Sequence, residues 1–292
     1  MTYTAWIILT AALVGLSCGI MGVFLILRKQ AMMADAISHT VLLGIVVAFL
    51  ITGQVSGPYM LIGGIFAGLV TAFLVQWLHS LNVQHDASLG IVFTTLFAIG
   101  VILIATSVGN AHLDVQHALM GEITFIPFHT VTLPIIGDIP EATVLLVVVF
   151  IIILLFITMF YKEWKITSFD PALAASLGMP VLLLHYLFMS LISVTTVASF
   201  DAVGAIMVVA MLITPAASAY LWTDKLFTML LLSGLFGVLS AILGYYVAAW
   251  LDTSISGSMA FMTGIVFMVS FIFSPKHGLI AKYVRPRLAK EC

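Results

Sequence analysis

The chain has 292 residues, of which 63% are hydrophobic and only 8% charged, with a formal net charge of −2 and a mean hydropathy of +1.25. Soluble domains carry about 25% charged residues, so this composition excludes a water-soluble protein. It indicates an all-α integral membrane protein, in which residues 1–292 form one membrane domain. The charge balance gives no sign of a nucleic-acid partner. The two cysteines, Cys18 and Cys292, lie at opposite ends of the chain and do not suggest a disulfide framework.

Long apolar runs recur along the whole chain, and a helix needs about 20 apolar residues to cross a bilayer. Nine runs are long enough, at residues 5–27, 32–53, 57–79, 88–109, 141–161, 180–198, 202–222, 226–250 and 258–274. The gap at Ser199-Phe200-Asp201 is so short that the two runs beside it can also be counted as one, which leaves eight. The sequence therefore predicts a bundle of about nine transmembrane helices, with eight as the alternative.

The basic residues predict the orientation of these helices, because cytoplasmic loops are enriched in lysine and arginine. If the N-terminus is outside and nine spans alternate, all ten basic residues of the chain fall inside. They are Arg28, Lys29, Lys162, Lys165, Lys225, Lys276, Lys282, Arg285, Arg287 and Lys290. The tail at 275–292 is then cytoplasmic.

Asp35 and His39 lie early in the second apolar run and are four residues apart. On a helix this spacing places both side chains on one face. A carboxylate and an imidazole are a ligand set that suits manganese, iron(II) or zinc. Because ionisable residues are costly inside a membrane, they mark a functional site by default. The alternative is structural, with Asp35 as an acid near the helix N-terminus and His39 as a hydrogen-bonded interior residue.

Acidic and histidine residues collect on the predicted outer side, within the long external segment 110–140 and at the border of the sixth and seventh runs. Such groups concentrate cations at a channel mouth, so we consider Asp114, His117, Glu122 and Asp201 as an outer entrance. Three alternatives remain open. The acidic bias can follow from the absence of basic residues there, residues 110–123 can form a packed docking helix, and Asp201 can be a solvated helix end.

The segment 168–179 on the predicted cytoplasmic side carries the signals of a short separate helix. Ser168 or Asp170 can cap its start, and Pro171 suits its first turn. Gly178 ends it, so the helix does not continue into the next span. Such a helix is a natural contact for a soluble partner. In the seventh run, Pro215 predicts a kink.

Several kinds of enzyme site are missing from the sequence. It has no G-x-x-x-x-G-K-[ST] and no H-E-x-x-H, so neither a phosphate loop for ATP nor a zinc protease of that type is present. No catalytic carboxylate pair appears either. The sequence therefore predicts a transport subunit that is not itself an enzyme.

Four segments, in this order, resemble the permease subunit of bacterial ABC importers for divalent metals, the ABC-3 type family that serves manganese, zinc and iron. They are residues 28–44, 114–123, 169–178 and 203–217. The first is the most specific, and its departures from the family pattern, alanine at 34 and threonine at 40, affect neither proposed ligand. The match extends over nearly the whole chain.

This resemblance implies a type II ABC importer-like fold in the bacterial plasma membrane. It also implies a second copy of the chain, two cytoplasmic ATP-binding subunits and an extracytoplasmic metal-binding protein as partners. Asp35 and His39 take the family's ligand positions. Residues 168–179 become the coupling helix that contacts the ATPase, through Phe169, Asp170, Ala174, Leu177 and Gly178.

We therefore expect a metal-import permease without a permanently bound cofactor, whose cargo is a divalent ion. Oxygen and nitrogen ligands without a thiolate favour manganese over zinc or iron. Two other functions remain open. A membrane scaffold that conducts nothing would not need Asp35 and His39, and a permease for an organic metal chelate would need a wide apolar cavity instead.

Overall fold

The structure is a computed structural model that describes residues 3–53, 58–107, 123–128, 130–133, 137–276 and 278–279. This part of the chain is almost entirely helical. Nine of its helices are long and apolar enough to span a membrane, which confirms the nine-span prediction over the eight-span alternative. A hairpin of two short strands and a 3₁₀ helix were not predicted.

The nine long helices begin and end within a few residues of the apolar runs. They are α1 (Tyr3–Leu27), α2 (Ala31–Thr52), α3 (Pro58–Ser80), α4 (His85–Ser107), α5 (Glu141–Met159), α8 (Val181–Val203), α9 (Ala205–Trp222), α10 (Leu226–Leu251) and α11 (Ile255–Phe273). Two short helices, α6 (Tyr161–Phe169) and α7 (Pro171–Ser176), connect α5 to α8. The 3₁₀ helix Ile123–Phe128 precedes β1 (Thr130–Leu133) and β2 (Gly137–Pro140), which pair antiparallel.

The boundary between α8 and α9 differs from the prediction. The expected gap at residues 199–201 is helical, and α8 ends only at Val203. Gly204 separates the two helices with φ +81° and ψ 164°, a conformation that is essentially restricted to glycine. Its amide donates a hydrogen bond to the carbonyl of Phe200 and closes the last turn. Asp201 therefore belongs to the end of α8 and not to the start of the next span.

The short helix predicted at 168–179 is α7, and it is shorter than expected. The Asp170 carboxylate accepts a hydrogen bond from the amide of Leu173 and caps the helix, with Pro171 in its first turn. Ser168 is not a cap, because it lies inside α6. Gly178 follows α7 with φ +77°, which a Cβ would disfavour. Of the two candidate caps, only the one at Asp170 therefore forms.

The chain divides into two compact units, a division that no sequence feature had predicted. The first unit contains α1, the 3₁₀ helix, the hairpin, the first half of α5 and helices α9 to α11. In it α1 packs on α10, and a Cβ added at Gly15 would collide with the backbone of Gly237. The Ser233 hydroxyl donates to the carbonyl of Gly19 at 2.6 Å. Glycines 15 and 19 thus allow close approach of two helices, as small residues do in membrane proteins.

The second unit contains α2 to α4, the second half of α5 and helices α6 to α8. Its closest helix contact joins α2 to α3, where Gly44 and Gly63 face each other backbone to backbone. Nearer the start of α2 in the same helix pair, the Thr71 hydroxyl donates a hydrogen bond to the Thr40 hydroxyl at 2.8 Å. This contact fixes the position of α2, which carries Asp35 and His39.

Replacing Gly44 with valine should separate α2 from α3, because the new side chain would meet the carbonyl of Gly63. Overpacking of this kind typically costs about 1–3 kcal/mol, so the thermal midpoint of the detergent-purified protein should fall. Gly90→Ala is the matched control, since Gly90 on α4 has no atom within 4 Å of an added Cβ. It should be neutral or stabilise by roughly 0.5–1 kcal/mol. Equal midpoints for the two variants would contradict the prediction.

Candidate metal site

Asp35 and His39 lie on the same face of α2, as the four-residue spacing predicts. The His39 Nε2 atom is 3.4 Å from the Asp35 Oδ1 atom. If both atoms bound one ion through bonds of about 2.2 Å, a 3.4 Å separation would subtend an angle of about 100° at the ion. This value lies between the octahedral and tetrahedral angles. The two atoms can therefore occupy adjacent coordination positions of one ion with little rearrangement.

The pair lies on the side of α2 where side chains stay partly exposed among the described residues. Its neighbours on the helix, among them Ala34, Ile37 and Ser38, are buried. By contrast, the side chain of Asp35 is 35% exposed and that of His39 is 37% exposed. Because ionisable groups are not stable against lipid, this side of α2 must face water or another polypeptide.

The described part of the chain supplies too few ligands for a closed site. Within the described residues, no group of three or more histidine, cysteine, aspartate or glutamate side chains is arranged to hold a metal ion. Four or more ligands are usual for manganese or zinc. Among the described residues, the Asp35–His39 pair is therefore an incomplete site that needs further ligands.

Two phenylalanines of α4 hold the imidazole of His39 in place. The ring of Phe93 stacks on it at 5.7 Å between centroids and 25° between planes. The ring of Phe97 meets it edge-on at 5.6 Å and 73°. Sequence analysis missed this pair, and the F-x-x-x-F spacing on α4 is the only trace of it in the sequence. The two rings restrict the orientation of the imidazole while its side chain stays partly exposed.

Replacing Phe93 and Phe97 with alanine should weaken metal transport without removing a ligand. Aromatic pairs contribute about 0.5–1.5 kcal/mol each, so the metal concentration that half-saturates uptake should rise by about two- to tenfold per ring. Phe73→Ala is the matched control, because Phe73 lies on α3 of the same unit and is 54% exposed. An unchanged half-saturation concentration in the double variant would show that the rings do not position His39.

The position of the pair along α2 favours a metal site over the structural alternative. The helix begins at Ala31 and has no acidic residue in its first turn, where a carboxylate would interact with the helix dipole. Asp35 lies about 6 Å and His39 about 12 Å from the start of this 22-residue helix. His39 is also not an interior residue, given its exposure. The pair is nevertheless in the predicted cytoplasmic half of the span, as the sequence indicated.

The remaining predicted site residues are less well defined. Asp114, His117 and Glu122 lie outside the described residues. Asp201 lies in the last turn of α8, and its side chain is not described. The outer entrance therefore stays a prediction. Pro215 lies inside α9, which continues to Trp222, and its kink also stays a prediction.

One of the residues predicted to contact an ATPase is buried in this chain. Phe169, Leu173 and Leu177 are 56%, 50% and 60% exposed on the segment that connects α5 to α8. Ala174 is fully buried, because it is on the side of α7 that packs against the rest of the unit. Ala174 is thus not part of the outward surface, whereas Leu173, which was not predicted, is exposed there.

Known proteins resemble this chain over almost its full length. The profile of the ABC 3 transport family matches residues 1–274. The chain is 57% identical to the manganese transport system membrane protein MntD of Bacillus subtilis (strain 168), over 98% of this chain and 97% of that protein. It is 39% identical to the zinc transport system membrane protein TroD of Treponema pallidum (strain Nichols), over 98% and 78% of the two chains.

A solved structure gives the same result at the level of the fold. PsaBC from Streptococcus pneumoniae, determined in complex with Fab, superposes with a TM-score of 0.81 and 33% identity, over 98% of this chain and 96% of that one. Together with the nine apolar helices, these relatives identify a multi-pass transport subunit of the bacterial plasma membrane. The resemblance inferred from the sequence motifs is confirmed, and the chain belongs to the ABC 3 transport family.

Proposed function

We propose that this chain is the permease subunit of an ATP-driven importer for a divalent transition-metal ion, with manganese as the preferred cargo and zinc or iron(II) as the next candidates. The observation that carries the proposal is the Asp35–His39 pair on the partly exposed side of a membrane-spanning helix. The names of the relatives, one for manganese and one for zinc transport, support the same class of cargo.

The ligand chemistry supports manganese as the first choice. Carboxylate oxygen suits manganese, whereas thiolates select zinc and copper. Cys18, the one cysteine among the described residues, is buried in α1 and belongs to the other unit. A site built from Asp35 and His39 therefore carries no soft ligand that would favour zinc strongly.

A second copy of the chain is the partner that would complete the site. Two copies related by a two-fold axis would supply two aspartates and two histidines, which matches the coordination number that the described part of one chain lacks. Such a site would replace part of the hydration shell of the ion without a resident cofactor. The exposure of both side chains in the isolated chain supports this arrangement.

ATP hydrolysis would take place in separate cytoplasmic subunits, since the sequence has no phosphate loop. Helix α7 is the proposed coupling helix, through Leu173 and through the residues Phe169 and Leu177 that flank it. An extracytoplasmic binding protein would deliver the ion at the opposite side, where Asp114, His117, Glu122 and Asp201 are the candidate entrance residues.

The proposal is tested by uptake of radioactive manganese and zinc into vesicles that contain the complete complex. We expect accumulation that requires ATP hydrolysis and the binding protein, with half-saturation at a lower free concentration for manganese than for zinc. A complex that hydrolyses ATP but accumulates neither ion would support the scaffold function instead. Accumulation only of a chelated metal would identify a chelate permease.

A further inference from the structure

Arg28 directly follows α1, two residues separate it from the start of α2, and its side chain is partly buried. Its Nε atom donates to the Ser168 hydroxyl at 3.1 Å, and its Nη2 atom donates to the Thr167 hydroxyl at 3.2 Å. The Cζ atom of its guanidinium lies 4.4 Å from the centre of the Phe188 ring. A single side chain therefore connects the start of α2 with the end of α6 and with α8.

The partners of Arg28 are neutral, which is unusual for a cation in this position. No carboxylate of the described residues forms a salt bridge with it. Burial lowers the pKa of Arg28 from 12.5 to about 10, so the group remains charged at pH 7. Arginine buried without an ion pair costs free energy. This cost is offset by the two hydrogen bonds and by the cation–π contact with Phe188.

The residues that Arg28 contacts adjoin the proposed coupling helix. Thr167 and Ser168 occupy the last turn of α6, directly before Asp170, whose carboxylate caps α7. Both hydroxyl residues are buried. On the other side, Arg28 adjoins the turn from which α2 begins, with Asp35 and His39 in its second and third turns. Arg28 therefore joins the end of α6, next to α7, to the turn that precedes the metal ligands.

We propose that Arg28 is a positioning residue that couples α7 to α2, an inference that rests on the proposed function. A displacement of α7 by the ATPase moves Thr167 and Ser168. The Arg28 guanidinium, which is hydrogen-bonded to both, transmits this movement to the first turn of α2. The metal ligands then change their position when ATP is bound or hydrolysed. Arginine suits this role because its planar fork holds two acceptors at once, whereas lysine presents a single point charge.

The test compares metal imported per ATP hydrolysed in complexes that carry Arg28→Lys or the double change Thr167→Val and Ser168→Ala. Arg28→Lys keeps the positive charge but removes the planar guanidinium. The double variant keeps side chains of similar size but removes the two hydroxyls that accept hydrogen bonds from Arg28. We expect both to assemble and to hydrolyse ATP, with a fall of about fivefold or more in the ratio of uptake to hydrolysis, the low end of a typical coupling free energy. The matched control is Lys29→Asn, which removes a neighbouring exposed charge at φ +57° and should leave the ratio unchanged.

The possible outcomes separate coupling from a purely structural role. If Arg28 only stabilises the fold, the amount of complex falls while the ratio stays that of the parent, and this result overturns the inference. If the parent itself imports no metal, the proposed function fails, and a second measurement still tests Arg28.

This second measurement is hydrogen exchange of residues 31–40 in the assembled complex, with and without a non-hydrolysable ATP analogue. We expect the nucleotide to change exchange at the start of α2 in the parent but not in the double variant. The inference is overturned if the nucleotide changes exchange equally in the parent and the double variant, or if it changes nothing in the parent.

Discussion

Asp35→Ala and His39→Ala should each abolish metal uptake while the complex still assembles and hydrolyses ATP. Each change removes one ligand from a pair whose atoms lie 3.4 Å apart, and in a symmetric pair of chains it removes two. Loss of a residue that merely supports a ligand costs about 10–100-fold, so we expect at least a hundredfold lower uptake at limiting metal. Folding should be little affected, because both side chains are partly exposed and α2 is held through its other sides.

Conservative changes at the same positions distinguish ligation from shape. Asp35→Asn keeps the size and loses the anionic ligand, so it should resemble Asp35→Ala. Asp86→Ala and His79→Ala are matched controls, because both residues belong to the same unit and are exposed on α4 and α3. They should transport normally. Full uptake by both Asp35→Ala and His39→Ala would place the ion path elsewhere and leave the pair with a structural role.

The spans could be predicted from the sequence because each one depends on a local property, a run of apolar residues of bilayer length. Their ends were less predictable. The break between α8 and α9 depends on the conformation of Gly204. The prediction instead placed the break at residues 199–201, because Ser199 and Asp201 are polar. The hairpin at β1 and β2 was missed because such short strands leave little periodicity.

The candidate site shows the same limit. Asp35 and His39 could be paired from their spacing alone, since a helix fixes the geometry of residues four apart. The contact of His39 with Phe93 and Phe97 could not be predicted, because it depends on how α4 packs against α2. Arg28 was predicted only as a cytoplasmic charge, and its hydroxyl partners are distant in sequence.

Helix α7 carries the second prediction with a large expected effect. Leu173 and Leu177 are four residues apart, at the first turn and the end of α7, and both are at least half exposed. Replacing both with glutamate should prevent stable association with the ATPase. Residues at the centre of an interface contribute about 2 kcal/mol or more each, which corresponds to about thirtyfold in affinity per residue. Co-purification of the ATPase with the permease, titrated with increasing ATPase, measures the loss.

The control for this prediction is Leu81→Glu. Leu81 follows α3, on the side of the membrane that the basic residues predict to be cytoplasmic, and its exposure of 59% equals that of Leu177 within one per cent. A charge at Leu81 therefore tests whether any acidic residue on this side repels the ATPase. If Leu81→Glu weakens association as much as the α7 variants do, the effect is one of general charge. If only the α7 variants lose the ATPase, the exposed leucines of this short capped helix are the contact, and the buried Ala174 serves to hold the helix against its own unit.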